Sequence, residues 1–259
     1  MPIATALSVN LNKIALMRNS RLSGIPSVTE AARVAIANGA DGITVHPRPD
    51  LRHIRPSDVY ELAAMLQVEF NIEGNPFEGA MGEYPGFLEL VRKVRPAQCT
   101  LVPDAQDQLT SDHGWDLQQH GQQLKPIIDE LKARGIRVSL FMDADSDDIE
   151  LAAALGADRI ELYTESYADA YGSEQQQAVF ETFLNAAERA QAAGLGVNAG
   201  HDLNLDNLAL MASIPNLEEV SIGHALVADA LMMGLGDAVS AYKAILVKAG
   251  IESGAESNS

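Results

Sequence analysis

Four of the six histidines, His46, His53, His201 and His224, stand at or just behind the ends of short apolar runs, and Glu73 and Glu161 lie within such runs. Imidazole titrates near neutrality, and a carboxyl held against an apolar wall loses water and gains basicity, so this set suits repeated proton transfer. Glu73 closes the run FNIE and has the position of a general base; its competing role is an ion pair with one of the arginines. Glu161, inside RIELY, would face a protein interior, where a carboxylate needs a cationic neighbour or a chemical purpose. Gly200-His201-Asp202 and Gly223-His224 each precede a segment of helical spacing. Glycine lets backbone N–H groups approach an anion and a helix N-terminus adds favourable potential, which suits phosphate; plain turn glycines are the alternative.

These residues need a scaffold that brings strand ends together. Eight short β-rich runs recur along the chain, at Ala6–Asn10, Gly42–His46, Glu69–Glu73, Gln98–Val102, Arg137–Met142, Arg159–Tyr163, Gly196–Ala199 and Glu219–Gly223. Segments with helical apolar spacing lie between them: Val28–Asn38, Pro56–Leu66, Pro85–Val94, Leu124–Arg134, Asp147–Leu155, Glu174–Ala193, Leu205–Ala212 and Ala225–Lys248, the last broken near Gly234–Gly236. Alternation of this kind, with strands read as near-continuously apolar, predicts an α/β fold, a (β/α)8 TIM barrel with additional helices. A single barrel domain is expected over residues 1–250, with a disordered tail at 251–259. Segments leaving the strands are long, at Gly74–Tyr84, Pro103–Gln118 and Thr164–Ser173, which puts the candidate chemistry on the face formed by the strand C-termini. AIANGADGITVH and LAAALGADRIELYT share an alanine-rich helix end, a Gly-Ala-Asp turn and an apolar strand, placed half a barrel apart.

Composition removes whole classes of function. The 259 residues carry a net charge of −18, which argues against nonspecific binding to nucleic acid or to an acidic membrane. Residues 1–55 depart from that balance, with seven Lys/Arg against three acids, a local cationic island fit for a small anionic substrate. Cys99 is the single cysteine, so neither a disulfide framework nor a cysteine-rich zinc site is available. DADSDDIE, 143–150, imitates a calcium loop but lacks its glycine and its spaced final glutamate, and reads as an acidic helix start. No metal constellation is legible. With no basic leader and no long apolar run, a cytoplasmic location is expected.

The segments SVNLNKIALMRNSR, GADGITVHPRPDLRHI, FNIEG, VSLFMDAD, GADRIELYTESYADAY, GVNAGHDL and EVSIGHALVADAL, with TLVPD and QLTSDHGWD, closely resemble the pyridoxine 5′-phosphate synthase family of the deoxyxylulose-dependent route to vitamin B6. The similarity runs from about Ser8 to Lys243. It implies a barrel enzyme assembled as octamers that condenses 3-amino-2-oxopropyl phosphate with 1-deoxy-D-xylulose 5-phosphate, giving pyridoxine 5′-phosphate, phosphate and water without cofactor or metal. By the same resemblance His46 and Glu73 are proton acceptors, His201 is a proton donor and Glu161 stabilises the transition state. Asn10, Arg21, Asp202, Gly223 and His224 match positions that hold the aminoketone phosphate; Asn12, Lys13, Arg48, His53 and Thr110 match those that hold the deoxyxylulose phosphate. The chain reads Asn10-Leu11-Asn12-Lys13 where many members read Asn-Ile-Asp-His, and Gly200-His201-Asp202 where they read Gly-His-Gly. An Asp202 carboxylate would repel a phosphate, so its backbone N–H is the credible ligand. Two other readings compete: a Schiff-base sugar-phosphate aldolase, for which Lys13 is the one lysine near a strand end, and a phosphate-binding barrel without catalysis.

Overall fold

The computed structural model describes residues 5–105, 108 and 110–256. Eight parallel strands close into a barrel in sequence order: β1 (Ala6–Asn10), β2 (Gly42–Val45), β3 (Glu69–Gly74), β4 (Gln98–Leu101), β5 (Arg137–Asp143), β6 (Arg159–Tyr163), β7 (Gly196–Gly200) and β8 (Leu217–Ile222), the last pairing with β1. Around it run α1 (Asn12–Asn19), α2 (Val28–Ala37), α3 (Pro56–Met65), α4 (Phe87–Val94), α5 (Leu117–Ala133), α6 (Ile149–Leu155), α7 (Glu165–Ala170), α8 (Gln176–Ala192), α9 (Leu208–Met211), α10 (His224–Met233) and α11 (Leu235–Glu256). The (β/α)8 architecture expected from the sequence is therefore present. The expected break in the last helical segment falls at Gly234, whose φ of 91° ends α10. Helix α11 continues to Glu256, so residues 251–256 are helical where disorder was expected, and 257–259 lie outside the described residues.

The strands do not bury apolar side chains on both faces, as the sequence reading supposed. Their outward residues, among them Leu7, Val9, Ile43, Val45, Ile72, Leu101, Leu140, Ile160, Leu162, Val197 and Val220, are fully buried against the helices. Each such aliphatic side chain contributes about 1.5–3 kcal/mol by leaving water. Alternate residues are polar and equally buried: Ser8, Thr44, Asn71, Gln98, Thr100, Ser139, Glu161, Asn198, Glu219 and Ser221. Buried polar groups persist only when hydrogen-bonded, and most of these are linked, to a neighbouring strand or across the bore. Ser8 Oγ lies 2.7 Å from Thr44 Oγ1, Asn71 donates to Thr44 at 3.3 Å, and Thr100 donates to Asn71 at 3.2 Å. Gln98 on β4 donates to Glu219 on β8 at 3.3 Å, across the full width of the barrel.

The repeated Gly-Ala-Asp turn has a structural purpose at the end opposite the strand C-termini. Gly39 and Gly156 adopt φ of 105° and 94°, the left-handed region that ends a helix. Asp41 then accepts from Leu7 N at 2.8 Å and Asp158 from Val138 N at 2.9 Å, each satisfying the first inner N–H of the preceding strand. Lysines cover both acids, Lys243 on Asp41 at 2.6 Å and Lys132 on Asp158 at 2.8 Å.

Candidate active site

At the C-terminal ends of the strands, β1, β2 and β3 converge on one carboxyl. Glu73 Oε2 accepts from Asn10 Nδ2 at 3.4 Å and lies 4.0 Å from His46 Nδ1. Asn10 Oδ1 accepts from Asn12 N at 2.9 Å, turning the chain out of β1, and Asn12 Oδ1 accepts from His46 N at 2.9 Å, which fixes the exit from β2. Asn12 is thus a backbone clamp as well as a candidate ligand. Burial pushes His46 well below its ordinary pKa, reinforced by Arg48, His53 and Arg52. Burial pushes Glu73 well above its own, helped by Glu161 and Asp104. The two shifts leave a neutral imidazole facing a carboxyl that holds its proton tightly. Among the described residues His46 Nε2 is buried without a partner, so one ring nitrogen is free for a substrate proton.

Glu161, on β6, is buried, with Thr100 Oγ1 donating to it at 3.5 Å. Burial lifts its pKa to about 7, and the Thr100 hydrogen bond opposes the rise. The neighbouring strand is glycine at Gly200 because a Cβ there would collide with Glu161 Oε1. No cation pairs with Glu161 among the described residues, so the alternative of a structural ion pair does not hold. Arg159, on the same strand, reaches Glu218 at 2.5 Å and Glu219 at 3.7 Å instead.

Beyond β2, Arg48 is buried and paired with Asp104, and Arg48 Nη1 also donates to the Gln108 carbonyl at 3.4 Å. His53 accepts from Ile54 N through Nδ1 at 2.9 Å, and burial with Arg48 and Arg52 nearby holds its pKa at about 3. It therefore offers an anion one Nε2–H and no charge. The segment carrying both residues is fastened by α1: Arg18 pairs with Asp58 and donates to the His53 carbonyl at 3.1 Å, and Asn19 reaches the same carbonyl at 2.8 Å.

Opposite, just beyond β7, His201 Nε2 lies 3.0 Å from both Thr110 Oγ1 and the Ser111 carbonyl, and its ring packs near Phe141 and Tyr163. His201 and Asp202 take φ of 84° and 52°, and Thr164 Oγ1 braces the turn by donating to the Gly200 and His201 carbonyls. Burial lowers the His201 pKa, against the opposing pull of Asp202, Glu165 and Asp104. Gly223 packs against Asn10, a built Cβ falling 3.1 Å from Asn10 Cβ, and caps α10, whose first residue is His224. Lys13, half-buried in the first turn of α1, acts electrostatically on His53 and His201. Arg21 is exposed beyond α1, with no side-chain partner among the described residues.

The structure thus brings Asn10, Asn12, His46, Glu73 and Glu161 into one cluster, and places Arg48 with His53, and His201 with Thr110, on the rim. It does not tie Arg21 to them. Sequence reasoning missed Asp104 and Ser111, which hold the rim groups, and placed Thr164 at the end of β6 without a role; the signal for the first two was the polar stretch directly behind β4. Among the described residues no group of three or more His, Cys, Asp or Glu is arranged to hold a metal ion.

A family model described as "Pyridoxal phosphate biosynthesis protein PdxJ" matches residues 7–248. A pyridoxine 5′-phosphate synthase from Xanthomonas axonopodis pv. citri is 57% identical over 248 residues, covering 94% of this chain and 97% of the relative. One from Albidiferax ferrireducens is 54% identical over 245 residues, covering 93% and 96%. Among solved structures, a ligand-free tryptophan synthase from M. tuberculosis superposes with a TM-score of 0.61 at 14% identity, covering 95% of this chain and 93% of that one. A 4-hydroxy-2-oxoglutarate aldolase from TTHB1 gives 0.58 at 16%, covering 93% and 94%. At such identities these two likenesses show the barrel fold alone.

Proposed function

The chain belongs to the PdxJ family of pyridoxal phosphate biosynthesis proteins and is an enzyme of pyridoxine 5′-phosphate synthesis, and we propose that it condenses 3-amino-2-oxopropyl phosphate with 1-deoxy-D-xylulose 5-phosphate, releasing phosphate and water. The observation that carries this reading is the pairing of a neutral His46 with a proton-retaining Glu73, 4.0 Å apart at the barrel mouth. Joining an amine to a ketone and expelling water and phosphate moves protons at several separate atoms. Groups with displaced affinities around one cavity can take and return them in turn. His46 accepts through its free Nε2. Glu73, once ionised, is an unusually strong base for a carboxylate. His201 donates from the opposite wall, and Glu161 stabilises the positive charge that develops at nitrogen.

Arg48, His53, Asn12, Lys13 and Thr110 hold the deoxyxylulose phosphate. Asn10, Arg21, His224 and the backbone N–H groups at Asp202 and Gly223 hold the aminoketone phosphate, with α10 directing its N-terminus at the anion. Holding both substrates in register removes much of the entropic barrier. The reaction needs no cofactor or metal. Leu16, Met17, Leu22 and Ile25, with Leu231 and Met232, are exposed apolar side chains that support self-association, which the family resemblance puts at an octamer. No helix among the described residues is long and apolar enough to cross a membrane, and a cytoplasmic biosynthetic role fits the small phosphorylated substrates.

The test is direct. Purified protein given both substrates should form pyridoxine 5′-phosphate, and neither substrate alone should suffice. No product, together with a borohydride-trapped adduct on Lys13, would replace the synthase reading with a Schiff-base aldolase.

A further inference from the structure

Asp104 lies in the segment that follows β4 and is 1% exposed. Its Oδ2 pairs with Arg48 and accepts from Ser111 Oγ at 2.8 Å, and Asn75 holds its backbone carbonyl at 2.9 Å. Among the described residues Oδ1 is buried without a partner. The Arg48 guanidinium beside it offsets the cost of burying a carboxylate this deeply. The carboxylate's remaining bond is spent on fixing Ser111.

Ser111 in turn presents its backbone carbonyl to His201 Nε2 at 3.0 Å, with Thr110 Oγ1 at the same distance from the same nitrogen. A carbonyl oxygen can only accept, so this network assigns the hydrogen of the neutral ring to Nε2, and the Thr110 oxygen shares it. The Nδ1 lone pair is left facing away from the segment. The opposite tautomer would set the Nε2 lone pair against the Ser111 oxygen and leave a buried acceptor unpaired.

We propose that Asp104 and Ser111 are positioning residues that join Arg48 to His201 and select Nδ1 as the ring nitrogen that takes up and gives back the catalytic proton. The inference rests on the roles given above to Arg48 and His201, and it adds the path between them: Arg48 guanidinium, Asp104 carboxylate, Ser111 hydroxyl and carbonyl, His201 Nε2. One end of that path lies in the subsite for the deoxyxylulose phosphate. An anion drawing Arg48 away from Asp104 therefore alters the support of the proton donor along this path.

The charged groups acting on His201 from each packed element are Asp202 on its own turn, Glu165 on α7, Asp104 behind β4 and Lys13 on α1; His46 also faces it from β2. The three acids favour the imidazolium; Lys13 and burial oppose it. Removing the Asp104 charge thus moves the His201 titration to lower pH and releases the tautomer at the same time.

Ring 15N-labelling of histidine, with the His201 signals assigned by His201→Gln, reads each ring nitrogen without substrate or turnover. A failure here is therefore distinguishable from a failure of the proposed reaction. The wild type should show hydrogen on Nε2 and a bare Nδ1. Asp104→Asn should admit the other tautomer and titrate at lower pH, and Asp104→Glu, which restores the charge, should move the midpoint back. Ser111→Ala removes only the hydroxyl anchor and should loosen the tautomer with little change in midpoint; it carries the test if Asp104→Asn does not fold. In turnover, misplacing the donor should lower kcat by about 10- to 100-fold and raise KM for the deoxyxylulose phosphate but not for the aminoketone. A wild-type ring protonated on Nδ1 alone overturns the proposal, and so do variants whose tautomer and midpoint match the wild type.

Discussion

Replacing Glu219 with Gln tests whether the floor of the bore holds a protonated acid or an ion pair. Burial, with Glu69 and Glu161 nearby, raises the Glu219 carboxyl from its ordinary 4.5 to about 8, against the opposing Arg159. Between those limits the native state keeps a proton that the unfolded chain releases, so the native state binds more protons and stability falls as pH rises. The contribution is whole below pH 4.5 and is lost progressively up to about pH 8. At 1.36 kcal/mol per pH unit, keeping that proton costs about 3 kcal/mol by pH 7. Glutamine is neutral in both states and keeps the acceptor that Gln98 and Asn198 use at 3.3 and 3.5 Å. Its new NH2 faces Arg159, 3.7 Å from Glu219 Oε2, which offsets part of the gain. Urea unfolding at several values from pH 5 to 8, with equal m-values, should give the wild type a steeper loss of stability than Glu219→Gln by about one proton. If Glu219 is instead ionised and paired with Arg159, the substitution removes a buried charge partner and destabilises by about 3–5 kcal/mol at pH 7. That outcome, or parallel curves for the two proteins, would refute the reasoning.

Glu73→Gln keeps the shape of the central carboxyl and removes its basicity, so turnover should fall by about 10²–10⁴-fold while the thermal midpoint is unchanged or higher; retained turnover in a steady-state assay would remove Glu73 from the chemistry. Arg48→Lys keeps a positive charge beside Asp104 but loses the planar fork. Calorimetry should find the deoxyxylulose phosphate bound about 10-fold more weakly and the aminoketone phosphate unaffected, whereas equal losses for both would mean that Arg48 supports the rim as a whole. Gly200→Ala forces its new methyl into Glu161 and should cost about 1–3 kcal/mol of stability and a larger share of activity; a neutral variant would show that Glu161 has room to move.

The barrel was legible because each strand is short and apolar on alternate positions, and β2, β5, β6 and β7 follow a glycine-marked helix stop, at Gly39, Gly135, Gly156 and Gly194. Strands β1 and β6 match their expected bounds, β2, β3, β4, β5 and β7 differ by one residue at the C-terminal end, and β8 starts two residues earlier and ends one earlier than expected. Helix α1 was hidden because its sequence, NKIALMRN, begins with the polar residues that look like a strand-end loop, and Leu11 before it offers no capping side chain. Helix α7 was hidden in the same way behind Thr164. The polar bore was visible as alternation, in Ser8 and Asn10, Thr44 and His46, Asn71 and Glu73, yet the expectation that a parallel sheet is apolar on both faces overrode it. His46, Glu73, Glu161 and His201 stood out because imidazoles and carboxyls at strand ends are the residue types of proton transfer, the role proposed for them above. Asp104 and Ser111 escaped because their importance is relational: it depends on Arg48 and His201, far away along the chain.

The hydrogen bonds that cross the bore act as tie rods. Gln98 to Glu219 spans opposite walls, and Thr100 links β3 to β6 through Asn71 and Glu161. An apolar filling would set the width of a cylinder by volume and tolerate a swap of one aliphatic chain for another. Ties set it by length and by direction, so the roundness of the mouth, and with it the spacing between His46 on one wall and His201 on the other, is gauged from inside. Two rules of tolerance therefore operate within a few ångströms: exchange by size in the shell under the helices, exchange only by matched donor and acceptor along the axis.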